Sequence, residues 1–119
     1  MKETNTQMNF TVDQENGTAV VQVNVVKLNA GNASGLKAEL VLLNKNSVNN
    51  IVIDMSKAKY CDSSGLSAIL VANRMCKDTN GKFVLCGLQE NVQKLIEIAQ
   101  LDKVLTLASD KSDAFSKIS

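Results

Sequence analysis

Residues 51–77, IVIDMSKAKYCDSSGLSAILVANRMCK, constrain the fold more than any other stretch of the chain. Ile51-Val52-Ile53 is too short for a helix and is β-branched throughout, which reads as a buried strand. After a polar segment, Leu66, Ile69, Leu70, Asn73 and Cys76 recur at helical spacing, with Ala68 and Ala72 beside them. A strand therefore runs into a helix, and Asp62-Ser63-Ser64-Gly65 occupies the joint. The first N–H groups of a helix lack intrahelical acceptors and carry the positive end of its dipole, so the joint suits a phosphate.

The flanking sequence repeats this alternation. Phe10-Thr11-Val12 and Ala19 to Val26 are apolar-rich runs separated by Asn16-Gly17, a type I′ hairpin signal, and they predict an antiparallel hairpin with its first strand at a sheet edge. Lys27 to Asn32 reads as a turn into a helix, with Asn32 as N-cap. Ala33, Leu36, Leu40 and Leu43 form that helix's buried face, Lys37 and Glu39 point outward, and the polar run Asn44 to Asn50 ends it. Gly35 falls in its first turns at a cost of about 1 kcal/mol against alanine, and the sequence offers no reason for it. Asp78 to Gly81 stops the central helix, with glycine as breaker. Lys82 to Cys86 is a further strand, and a helix from about Gln89 buries Val92, Leu95, Ile96 and Ala99. Val104 to Leu107 is a short strand. Asp110 to Lys117 forms the last helix, turning Ala114, Phe115 and Ile118 to one side. The order β-β-α-β-α-β-α-β-α implies an α/β domain with a mainly parallel sheet, right-handed crossovers, one antiparallel edge and four helices.

Composition narrows the function. The 119 residues suit one domain, with residues 1–9 a flexible N-terminal segment and 10–119 the folded unit. A net charge of +1 and only four aromatic residues argue against nucleic-acid binding. Histidine is absent, which removes the usual general base and the commonest zinc ligand. The three cysteines (Cys61, Cys76, Cys86) have no CxxC spacing, no apolar run approaches membrane-spanning length, and the N-terminus lacks a signal-peptide pattern. A reduced, cytoplasmic protein with no cofactor, no metal and no membrane insertion is expected.

Asp62 to Gly65 admits three readings from residues alone. Asp62 or Ser63 caps a helix, with Ser64 filling the first turn and Gly65 permitting close packing. A nucleophile elbow shares the strand–turn–helix geometry but needs a base, and with no histidine only a dyad with Lys57 or Lys59 would remain. The third reading is a regulatory phosphoserine. Nearby, Cys61 is a small packing residue or a thiol acidified by the helix terminus. Lys57 and Lys59 are loop residues within reach of a phosphate, and Asp54 alone lacks a metal's ligand count.

The Asp62-Ser63-Ser64-Gly65-Leu66 signature following Ile51-Val52-Ile53-Asp54, together with Gly81 to Cys86, the Val92/Leu95 helix and Leu101-Asp102-Lys103-Val104, resembles the STAS domain. The resemblance runs from about Phe10 to Phe115 and is strongest to stand-alone anti-sigma factor antagonists. It implies that the serine after the aspartate, Ser63, is phosphorylated, with Asp62, Ser64, Gly65, Leu66 and Asn29 shaping the partner-binding site. It further implies a non-enzymatic switch whose partners are an anti-sigma factor serine kinase and a serine phosphatase. Related stand-alone domains serve instead as unphosphorylated accessory subunits of lipid-transport ATPases or sensory complexes. Asn29 replaces an aspartate usual in the family, Val26 a common glycine, and Ser67 is a third departure.

Overall fold

The computed structural model describes residues 8–118, so most of the expected flexible segment at 1–9 lies outside the described residues. Strands β1 (Phe10–Glu15) and β2 (Thr18–Val23) form the hairpin, paired from Phe10↔Val23 to Glu15↔Thr18. Asn16 and Gly17 take positive φ of 55° and 79°, as a type I′ turn demands. Strands β4 (Asn50–Asp54), β6 (Phe83–Cys86) and β7 (Thr106–Ala108) extend the sheet in parallel, in the order β1-β2-β4-β6-β7. The Ile51 strand is central and β1 is an edge, as expected.

Alternation along these strands divides the core. Ala19, Val21, Val23, Ile51, Ile53, Phe83 and Leu85 face helices α1 (Ala33–Lys45), α2 (Ser63–Asp78) and α3 (Glu90–Ile98). On the other face Val20, Val52, Val84 and Cys86 meet Ala114 of α4 (Lys111–Ile118), with Phe115 and Ile118 partly buried beside them.

Several elements depart from the sequence reading. The second strand stops at Val23, and Lys27–Leu28 is a separate strand, β3, paired in parallel with β5 (Tyr60–Cys61) as a two-stranded sheet. Two-residue strands show no periodicity, so nothing in the sequence announces them. The last strand starts at Thr106 because a 3-10 turn, Leu101–Lys103, occupies the residues before it. In α3 only Val92 and Ile96 are buried; Leu95 is half-buried and Ala99 exposed, since this short helix touches the sheet along a narrow stripe. In α2 the buried stripe is Ala68, Ile69, Ala72, Asn73 and Cys76, while Leu66 is half-buried and Leu70 faces outward.

Tight contacts and left-handed caps set the helix ends and their packing. A Cβ on Gly35 would lie 3.2 Å from Cε2 of Phe10, which supplies the reason for that glycine: the β1 phenyl ring lies against α1. The breaker after α2 is Asn80 rather than Gly81. Asn80 takes φ of 61°, and its N–H and that of Gly81 donate to the Lys77 and Cys76 carbonyls at 3.2 and 2.7 Å, a Schellman pair. Gly81 is required for a different reason, because a Cβ there would collide with the Asn49 carbonyl. Ser47 ends α1 in the same way.

Candidate functional site

The miniature β3–β5 sheet delivers both chain segments of the site. The β5 strand ends at Cys61, and Asp62 adopts an extended conformation that starts α2. The Asp62 carboxylate accepts from two backbone donors, the Gly65 N–H at Oδ1 (3.0 Å) and the Ala30 N–H at Oδ2 (3.3 Å). Asp62 is thus the N-cap, and it also ties α2 to the loop before α1. Ser63 and Ser64 are the first and second helical residues. The Ser63 side chain is exposed and Ser64 half-buried, and neither hydroxyl is engaged in a hydrogen bond with a described residue.

Gly65 fixes how close α2 comes to the small sheet. A Cβ there would sit 2.6 Å from Cys61 Sγ, 2.7 Å from the Leu28 carbonyl oxygen and 2.9 Å from Leu28 Cγ. The Leu28 oxygen is held in place by the Asp62 N–H, which donates to it at 3.1 Å. Asn29 lies in the adjoining loop and serves that loop's own geometry. Its Oδ1 accepts from the Gly31 N–H at 2.9 Å, and its N–H donates to Asn32 Oδ1 at 2.9 Å. Asn32 occupies the N-cap position of α1 as expected, yet its side chain points back into the loop, with Nδ2 donating to the Lys27 carbonyl.

Other candidates separate from this centre. The Cys61 thiol is pushed up to about 11, first by burial and then by the Asp62 charge, which overturns the acidified-thiol reading. Its contact with Gly65 makes it a packing residue. Lys57 and Lys59 are exposed and form no ion pair among the described residues. Asp54 is engaged locally, accepting from the Ser56 N–H at 2.9 Å, and no three metal-ligating side chains converge among the described residues. Val26 is exposed, and its carbonyl accepts from the N–H groups of Lys59 and Tyr60.

Sequence reasoning placed Leu66 at the partner-binding site but missed the rest of the surface beside Ser63. A groove of about 470 Å³ begins at Ser63 and follows α2 through Leu66, Leu70 and Arg74, with Leu101 forming the far wall. Ser67 also opens onto it. The available signal was in α2 itself. Ala68, Ile69 and Ala72 already complete a core stripe, so Leu66 and Leu70, four apart on the adjacent row, were surplus to it. An exposed apolar groove with one guanidinium, starting at an exposed serine, is suited to docking another protein. No helix among the described residues is long and apolar enough to cross a membrane.

Comparison with known proteins identifies the fold and the family. A protein of Bordetella bronchiseptica, provisionally named the anti-sigma factor antagonist BtrV, is 27% identical over 107 residues, covering 90% of this chain and 91% of the relative. A crystal structure from Thermotoga maritima, provisionally named an anti-sigma factor antagonist, matches with a TM-score of 0.85 at 22% identity, over 92% of this chain and 93% of that one. The phosphorylated form of the Bacillus cell fate determinant SpoIIAA matches with a TM-score of 0.72 at 16% identity, over 92% and 99%. The family model described as the STAS domain matches residues 9–114. With that model spanning nearly the whole sequence, the chain belongs to the STAS domain family.

Proposed function

We propose that this protein is an anti-sigma factor antagonist that works by partner switching, with Ser63 as its phosphorylated residue. One observation carries the reading, namely an exposed serine hydroxyl on the first turn of α2, at the mouth of an apolar groove on that helix. Unmodified, the protein docks an anti-sigma factor serine kinase through this surface and frees the sigma factor. The kinase transfers the γ-phosphoryl group of ATP to Ser63 Oγ, whose proton is lost as ADP leaves, and a serine phosphatase hydrolyses the ester to reset the switch. The protein is then a binding module and kinase substrate rather than an enzyme, and it acts in the cytoplasm where that kinase has ATP.

Electrostatics favours a switch without refolding. The phosphate adds about −1.5 to −2 charge at pH 7. The α2 dipole stabilises it by about 0.3–1 kcal/mol at an exposed position, and solvent and salt screen its repulsion by Asp62. At a docked interface the same dianion is desolvated without a partner, which costs several kcal/mol. Since about 1.4 kcal/mol is tenfold in affinity, that suffices to release the kinase.

The test incubates the wild type, Ser63→Ala, Ser63→Asp and Ser64→Ala with the anti-sigma kinase of the same organism and labelled ATP, and locates the label by mass spectrometry. Wild type and Ser64→Ala take label on Ser63. Ser63→Ala takes none and binds the kinase constitutively, whereas Ser63→Asp, with about one charge in place of nearly two, binds more weakly. Label on Ser64, or none anywhere while the kinase modifies a control substrate, would refute the switch and favour an accessory-subunit role.

A further inference from the structure

At the other end of α2, about 21 Å along its axis from Ser63, the molecule has a second concave feature unrelated to the docking groove's chemistry. The sheet loses a neighbour there. Strand β7 begins at Thr106 opposite Val84, so the β6 edge at Lys82–Phe83 faces a cleft of about 190 Å³ instead of another strand. Asn73 and Lys77 of α2, Lys117 of α4, Lys82, Val104 and Thr106 enclose it.

Three lysines line this cleft and no acidic residue does. Lys77 and Lys82 have no carboxylate within ion-pair distance among the described residues. Lys117 has only Asp113, at 3.9 Å, and Asp78 stands outside, on the neighbouring depression. Exposed lysines alone do not make a site, and the independent observation is Asn73. This side chain is nine-tenths buried within the apolar stripe of α2, yet its carboxamide makes no hydrogen bond with a described residue. No fully sealed side-chain nitrogen or oxygen is left unmatched among the described residues. The amide therefore keeps an opening to solvent, and Asn73 lines both this cleft and the neighbouring depression that Asp78 flanks.

We infer that this cleft binds a phosphate-type oxyanion, with Lys77 and Lys82 matching its charge while Asn73 Nδ2 and the Thr106 hydroxyl donate to its oxygens. The volume lies below the roughly 300–1,000 Å³ of sites for whole cofactors and drug-sized ligands, and it suits one phosphoryl or sulfate group. The group is either free inorganic phosphate or the phosphate end of a small monoester. This inference is independent of Ser63 and of the partner switch.

The experiment titrates ¹⁵N-labelled protein with inorganic phosphate, sulfate or glycerol phosphate at matched ionic strength, against chloride. Saturable shifts confined to the Asn73 side-chain amide, residues 77–84 and Thr106 are expected. Tighter binding of the ester than of phosphate assigns the ligand to a phosphorylated small molecule, and the reverse assigns it to free phosphate. Lys77→Gln and Lys82→Gln, both exposed and neutral to folding, each weaken binding roughly tenfold or more, as loss of a charged hydrogen bond requires. Asn73→Leu abolishes binding and Lys37→Gln on α1 leaves it unchanged. Shifts that never saturate, that spread over lysines across the surface, or that persist in Lys82→Gln or a folded Asn73→Leu would overturn the site.

Discussion

Replacing Gly65 with alanine tests whether the site's position is set by close approach of α2 to β3 and β5. The added methyl meets three heavy atoms between 2.6 and 2.9 Å, where ordinary contact begins near 3.4 Å. Two of those atoms, Cys61 Sγ and the Cγ of fully buried Leu28, belong to side chains. The third, the Leu28 carbonyl oxygen, is pinned by the Asp62 N–H and belongs to a strand, so α2 must retreat instead. Overpacking of this kind costs about 2–3 kcal/mol, offset by at most about 1 kcal/mol from alanine's better helix propensity. The net loss is about 1–2 kcal/mol. For a chain of this size that lowers Tm by about 4–8 °C. Thermal and urea unfolding of Gly65→Ala measure it, with Gly35→Ala as control. At Gly35 the new methyl meets only a phenyl edge at 3.2 Å, so strain and propensity nearly cancel. Cys61→Ala combined with Gly65→Ala recovers part of the loss, because it removes the Sγ contact and leaves the carbonyl. A Gly65→Ala protein as stable as wild type, or full recovery in the double variant, would refute the claim that the Leu28 backbone fixes α2.

Gly81→Ala destabilises by more than about 3 kcal/mol, since its methyl meets the Asn49 backbone with no side chain able to yield; calorimetry showing a smaller loss than for Gly65→Ala contradicts this. Asp62→Ala removes the cap and the tie to Ala30, lowering stability at pH 7 by about 0.5–2 kcal/mol in urea titrations, with faster amide exchange expected at Gly65 and Ala30 together. The Cys61 thiol, pushed up to about 11, is almost wholly protonated at neutral pH. Its alkylation by iodoacetamide therefore accelerates roughly tenfold per pH unit from neutrality upward, and a rate plateau below about pH 9 would contradict that value.

Much of the architecture was legible because it rests on local patterns. Asn16-Gly17 specifies its own turn, and the β-branched run at Ile51 specifies a central strand whatever surrounds it. What escaped was set by partners distant in sequence. Gly35 made no sense within α1 because its reason is the ring of Phe10, and Gly81 passed for a helix breaker although its constraint comes from Asn49. The β3–β5 pairing was invisible since two residues cannot show a period. At the site, Asp62, Ser63, Ser64 and Gly65 were legible as a helix start, and the tie from Asp62 to Ala30 was not, because no sequence rule pairs residues 32 positions apart. Leu70 was grouped with the helix's periodic residues from spacing alone; the alanines beside it form the buried stripe, and Leu70 faces outward.

The double acceptance by Asp62 has a consequence for how such a chain can diverge. Because one carboxylate clamps both the loop at Ala30 and the first turn of α2, that loop is the same length as its anchor allows. An inserted or deleted residue between Leu28 and Ala33 would shift the Ala30 N–H off the carboxylate and tilt the serine-bearing turn with it. Length variation should therefore accumulate in the hairpin tip and after α3, where no such clamp acts among the described residues, and selection should preserve the spacing from Leu28 to Ala33 even where the residues within it change.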